Sequence, residues 1–352
     1  MKSVNERQHN LSGLKRALHP QEQWEWPIAM YLYLAGLGAG ALAVGLIADW
    51  ILKPDIPSKA ILRWGALLVT IGAPFLILDL GKKLRFINAS LNPRTSWAGR
   101  GFLILSTLMI TSLIIFGVAL LPSILPLINI SVPDWIDPEL TIYKVLEVVV
   151  VVVAVGTAAY TGIFLKSTRY VSLWNTWLLP VLFTISAFST GSMGIIASLL
   201  GYGIIIDNEV ARELSHTLMP VEQICVLIEA VVLVLFLVLR YRATETGTMS
   251  IRLLLKGKLR FVFWVGIVFL GLLFPTILEN ISPIFPDTPA LTFVAAAALL
   301  TGGFFLRYAI VKGGIKDRHP LQKMAGLQYD WKILAAPGSG SSTEQAEEVR
   351  HV

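Results

Sequence analysis

Four carboxylates and one phenol lie in or beside long apolar runs: Asp79, Glu147, Glu222 and Glu229, with Tyr160. An ionisable group is costly to keep in hydrocarbon, so those that persist there usually serve function or helix pairing. Glu222 and Glu229 are seven residues apart, which puts them on one helical face, about 10 Å apart along the axis. They are either acids kept neutral by burial and hydrogen-bonded to neighbours or members of a proton relay. Glu147 would start near the outer side of its run, as Glu222 does, and the three glutamates could form one proton path inward. Tyr160 lies in the same run as Glu147, about 20 Å further along a helix, too far for direct contact. Asp79 sits one turn from Lys82, Lys83 and Arg85. It is either a salt-bridge partner of Arg85 or Lys83, or a proton donor or acceptor at the mouth of a site. Glu279 stands at the outer end of another run.

The elements that must position these groups are set by composition. The 352 residues are 55% hydrophobic and 15% charged, with mean hydropathy +0.69, too little charge for a soluble surface of this size. The apolar runs are continuous, not alternating, and in lipid that pattern means helices. Eight runs are expected to span, over 27–50, 60–81, 101–121, 141–166, 176–201, 217–240, 260–280 and 290–311, each near the length that crosses a hydrocarbon core. The first continues into Asp49 and Trp50 with no small-residue cleavage site, so it reads as a span and not a signal peptide. Three units follow: a basic tail over 1–24, a membrane domain over 25–312, and a polar tail over 313–352 whose end has the composition of disorder. Trp24, Trp26, Trp50, Trp64, Trp97, Trp135, Trp174 and Trp177 fall at run ends, as an interfacial belt would place them.

Charge sets the orientation. The N-terminal tail, the loops after spans two, four and six, and the C-terminal side hold 24 of the 29 lysines and arginines. The opposite loops hold 5 and are acidic instead, with Asp134, Asp137, Glu139, Asp207, Glu209, Glu213 and Asp287. Both termini are therefore expected in the cytoplasm, in the inner (plasma) membrane. The basic cluster after span two anchors that face, and would also suit an acidic partner surface.

Cofactor chemistry is bounded by what is scarce. The chain has one cysteine, Cys225, and its histidines (9, 19, 216, 319 and 351) avoid the middle of every span. No disulfide framework, metal site, haem or iron–sulfur cluster is expected in this chain. Redox chemistry here would use a diffusible molecule or a partner's cofactors. The first span carries Gly36 and Gly40 among Ala35, Gly38 and Ala39. Such a flat face permits close helix packing, and could leave room for a planar ligand beside Tyr31 and Tyr33.

Three ordered stretches, WEWPIAMYLYLAGLGAGA, ILDLGKKLRFINASLNPRTSWAGRG and YTGIFLKSTRYVSLWNTWLLPVLFTISAFSTG, resemble the NrfD/PsrC family of membrane subunits from polysulfide-reductase-type and nitrite-reductase-type respiratory complexes. The motif detail covers residues 24 to about 240, and the later spans match by number and hydropathy. The resemblance implies an all-α integral membrane protein of eight transmembrane helices in two packed four-helix bundles. It would hold no cofactor of its own and exchange electrons between a quinone (menaquinone or ubiquinone) and an iron–sulfur subunit, itself paired with a molybdopterin catalytic subunit. Tyr160 matches the phenol of the family's quinone pocket; Asp79, Arg85, Asn92, Pro93 and Trp97 match its motif between spans two and three. The Asn and His that the polysulfide-reductase branch offers in the first span align with Ile28 and Tyr31, so that pattern is not carried over, although Tyr31 could bond a quinone carbonyl. In the named family members the pocket and the partner face outward, whereas the charge rule turns that side of this chain to the cytoplasm. Two competing readings are a secondary transporter, which calls for broken helices in two matching halves that this sequence does not display, and a purely structural membrane anchor.

Overall fold

Continuous apolar runs have one low-cost backbone solution in lipid, the hydrogen-bonded helix, and helices are what form. The computed structural model describes residues 26–78, 97–133, 135–137, 139–168, 170–282 and 288–316. The helices are α1 (Trp26–Leu52), α2 (Gly65–Leu78), α3 (Trp97–Ile124), α4 (Thr141–Lys166), α5 (Leu178–Ile205), α6 (Glu209–Ala243), α7 (Glu245–Leu255), a π-helical stretch (Val262–Leu273) running into α8 (Phe274–Ile281), and α9 (Ala290–Lys312). Short 3-10 turns cover Lys59–Leu62 and Leu125–Ile128. Among the described residues the only extended pairing is an isolated bridge between Val171 and Lys316. Among the described residues seven spans are long and apolar enough to cross a membrane, the π stretch and α8 counting as one. The second expected span appears as α2, 14 residues long, which ends where the described residues stop. Asp79, Arg85 and Asn92, both tails beyond 26–316, and Asp134 and Asp287 lie outside the described residues.

The packing centres on α1 and α5. In each, 78% of the apolar window is buried, against 22% in α6, whose Val221, Ile224, Leu227, Val231 and Val234 point outward as a lipid-facing stripe. Small residues let the two central helices meet: neither Gly40 nor Gly191 has room for a Cβ, because each backbone lies against the other helix. The flat face of α1 is thus filled by protein, with Gly38 against Gly65 and Val69 of α2 on another side. The seams between α1 and these two helices leave no slot for a planar ligand.

Three features depart from the sequence expectation. Trp26, Trp97, Trp135 and Trp177 are exposed, but Trp174 is 1% exposed and donates from its indole nitrogen to the Ile310 carbonyl of α9 at 2.8 Å. It closes the α4–α5 loop onto α9 instead of joining the belt. The connection after span six contains a helix, α7, capped by Thr244 Oγ1, which accepts from the Gly247 N–H at 3.0 Å. Ser250, Ile251, Leu253 and Leu254 form its buried side. The seventh span is π-helical for 12 residues, and the Phe274 N–H closes it on the Phe269 carbonyl five residues back. Such widening is rare and tends to occur beside functional sites.

Candidate functional site

Tyr160, near the Lys166 end of α4, is 5% exposed, and its hydroxyl donates to the backbone carbonyl of Trp97 at 2.9 Å. The hydroxyl end of the ring lies against Gly101 of α3, where no Cβ would fit, with Phe164 at 6.0 Å between centroids. Tyr31 of α1, 2% exposed, is close enough for the two phenols to interact electrostatically. The Trp97 ring is exposed and carries the Arg100 guanidinium 4.7 Å from its centre. The structure therefore joins Tyr160 and Trp97 of the expected pocket by a hydrogen bond, with Tyr31 buried on the neighbouring helix α1. Chemically, two buried phenol hydroxyls are donors of the kind that a ligand carrying only acceptor carbonyls would require. The Tyr160 proton is already committed to Trp97, but rotation about the phenol C–O bond would redirect it without moving the ring.

At the other end of α4 an ionic network holds Glu147. Arg63 bonds to both Asp49 Oδ2, at 2.7 Å, and Glu147 Oε1 through Nε at 3.1 Å and Nη2. Trp50 Nε1 donates to Glu147 Oε2 at 2.9 Å. Arg63, Asp49 and Glu147 are all nearly inaccessible. Lys59 extends the network to Asp49 at 3.3 Å and Glu139 at 2.8 Å, and Lys144 reaches Glu139 at 2.8 Å. The hydrogen bonds from Lys144 and then Lys59 hold the Glu139 carboxyl down, to about 2. Burial works against the Lys59 charge, but its bonds to Glu139 and Asp49 outweigh that and raise its pKa. Three acids and three bases leave the network neutral.

A third cluster crosses the interior between α5, α6 and α9. Glu229, 7% exposed, accepts from Ser189 Oγ at 2.6 Å. One turn away, Ser186 Oγ accepts from Arg307 Nη1 at 2.6 Å, and the same nitrogen reaches the Gly303 carbonyl at 3.0 Å. Arg307 is fully buried, between the rings of Tyr33 and Phe183 at 5.9 and 5.5 Å. A cavity of about 10 Å³ beside Glu229 is lined by Ser189, Thr190, Gly303 and, from the π stretch, Ile267 and Gly271. That is room for about one water molecule. Glu222 lies on the same face of α6, fully buried, with Glu279 of α8 as its neighbour.

The three expected relay acids thus fall into two groups: Glu222 and Glu229 share a face, and Glu147 is bound to Arg63. Sequence reasoning passed over Arg63, Arg307, Ser186 and Ser189, having counted both arginines as flanking charge. A lone cation inside the apolar run TGGFFLRYAIV was the available signal, since such a residue rarely lacks a buried partner. Among the described residues no group of three or more His, Cys, Asp or Glu side chains could hold a metal ion.

Comparison with known proteins bears on this arrangement. Residues 16–316 match the family described as polysulphide reductase, NrfD. The sequence is 30% identical to the C chain of polysulfide reductase from Wolinella succinogenes, over 83% of its own length and 94% of that protein's. It is 26% identical to protein NrfD of Escherichia coli over the same shares. With the NrfD homolog of Haemophilus influenzae the identity is 27%, over 73% of this chain and 83% of the relative.

Proposed function

This chain belongs to the polysulphide reductase NrfD family, and from that premise we propose that it is the membrane subunit of a respiratory oxidoreductase complex. It exchanges electrons between a menaquinone or ubiquinone pool and an iron–sulfur subunit of a molybdopterin-type enzyme, and couples this to proton movement. The observation that carries the reading is the bond of Tyr160 to Trp97 at the ends of α3 and α4 that bear Arg100 and Lys166, with buried Tyr31 on the neighbouring α1. When bound, a quinone supplies the two-electron, two-proton exchange. Tyr160 and Tyr31 orient its carbonyls, and the apolar walls keep water from them. Asp79, Arg85 and Asn92, outside the described residues, are assigned to quinone binding on the family resemblance of their motif. The eight spans group as two four-helix bundles in the inner membrane, with the 1–24 and 313–352 tails and the docked partner on the cytoplasmic side.

The proton route runs through Glu222 and Glu229 to Ser189, and the fixed charge of Arg307, held by Ser186 on the next turn, sets the field around Glu229. Glu147 has both oxygens occupied by Arg63 and Trp50, so its place is structural support for α1 and α4. The test is purification from membranes of the producing cell. Quinone and an iron–sulfur polypeptide should come with the protein, and the isolated assembly should oxidise quinol or reduce quinone. A subunit that comes alone, or that catalyses solute exchange in vesicles, would replace this reading with an anchor or a transporter.

A further inference from the structure

Sequence marks Glu279 only as an acid at the outer end of a span, and the structure gives it a partner. Its carboxyl, on α8, lies within hydrogen-bonding reach of Glu222 on α6, and Gln223 reaches it as well. Glu222 is fully buried and Glu279 is 4% exposed. Neither Glu222 oxygen meets a hydrogen-bond partner of good geometry, and Glu279 Oε1 is also unmet. Among the described residues no salt bridge touches either acid. The other ionisable neighbours are Cys225 and Glu229 on α6, the latter facing Arg307 of α9. Two like charges side by side in an apolar interior cannot both persist. One more positive species must be held there, and two neighbouring carboxyls with buried, unmet oxygens are what a single proton satisfies.

We infer that Glu222 and Glu279 form a proton-binding site, one proton shared between two carboxyls that join the sixth and seventh spans. The proton sits on one acid and is donated to the other, so the pair carries at most one negative charge. Glu229 lies two turns along the same face of α6, which makes the pair the outer station of the route proposed above. Its place on that route rests on that reading, whereas the sharing of the proton does not.

Infrared pH-difference spectra of the purified complex test it through the carbonyl stretch of protonated carboxyls, without turnover. In both E222Q and E279Q the titration midpoint of the remaining acid should shift by at least one pH unit, a tenfold change in proton affinity. If each substitution removes one band and leaves the other acid's midpoint in place, the two acids are independent and the inference falls. It also falls if the midpoint of the unmodified protein moves when sodium replaces choline at constant ionic strength, since a metal cation then holds the site. Should E279Q fail to assemble, E279D retains an acid one carbon shorter and should show a weakened but measurable coupling to Glu222. An unchanged proton release per electron in sealed vesicles would remove the route and leave the pair standing.

Discussion

The Tyr160 hydroxyl has one proton to give, and it goes to the backbone of Trp97. Tyr160→Phe keeps the ring on Gly101 and removes only that donor, a loss of about 0.5–1.5 kcal/mol for a neutral hydrogen bond. Quinone-dependent turnover should fall by roughly two- to tenfold in a complex that still assembles, because the bond is wanted by the ligand as well as by α3. A drop in thermal stability with turnover and quinone affinity unchanged would make Tyr160 a helix tie and nothing more. Glu139 offers a different residue-scale test, because its charge is held by Lys144 and Lys59 outside the membrane. A carboxyl lowered from 4.5 to about 2 contributes stability above the unfolded value and loses it as pH falls through the folded one. The stability difference between the unmodified protein and Glu139→Gln should therefore be flat from neutral pH to about 4.5 and fade between there and 2. Lys59, raised by the same contacts, has the opposite sign: its contribution is full below 10.5 and is lost as pH climbs through its higher folded value. A difference that grows on acidification would contradict the clamp.

At the scale of elements, the α1–α5 contact is the one the fold can least do without. Gly40→Leu would drive a side chain into the backbone of α5 at Ala187, where no rotamer relieves it. The cost should exceed the roughly 1–3 kcal/mol of ordinary overpacking, read as lost thermal stability or lost complex in membranes. Gly156→Leu on α4, with nothing within 4 Å of its Cβ position, should be tolerated, and equal damage from both would refute the close approach. The small-residue pattern in the first span made this packing legible, as the apolar runs did the spans themselves. What stayed hidden depends on partners far along the chain. Arg63 finds Glu147 across 84 residues and Arg307 finds Ser186 across 121, and no local periodicity records such pairing. The same holds for Trp174, whose place at a run end suggests a membrane interface until Ile310 is seen to receive its N–H. α7 was passed over because 11 residues of mixed polarity give neither a spanning run nor a turn signature. Nor does an apolar run announce a π stretch, since hydropathy is indifferent to whether the ladder closes on the fourth or the fifth residue.

At the scale of the whole molecule, the 24-to-5 split of lysines and arginines makes an orientation across the membrane testable directly. In a Cys225→Ser background, a cysteine at exposed Ala243 should resist an impermeant thiol reagent applied outside the cell, and one at exposed Asp137 should react. The reverse pattern would turn the basic face outward and carry the partner with it. Position 250, on the same connection, is a poor probe because Ser250 is fully buried in α7. Between these faces the buried polar groups fall into three local groups on α5, α6, α8 and α9: Glu222 beside Glu279, Glu229 bonded to Ser189, and Ser186 bonded to Arg307. Exchanging two protons with a quinone near one face while drawing them from the other would tie turnover to the membrane potential, about 2.3 kcal/mol per charge per 100 mV. Glu229→Gln preserves shape and leaves an amide to meet Ser189, but it cannot pass a proton on. In sealed vesicles proton release per electron should fall and turnover should lose its sensitivity to potential, while detergent-solubilised turnover survives. The amide also leaves Arg307 without the nearby carboxyl that balances it, so thermal stability must be measured alongside. If stability drops and proton release per electron does not, Glu229 is there to hold Arg307 in the membrane, and the hydroxyls between them are packing.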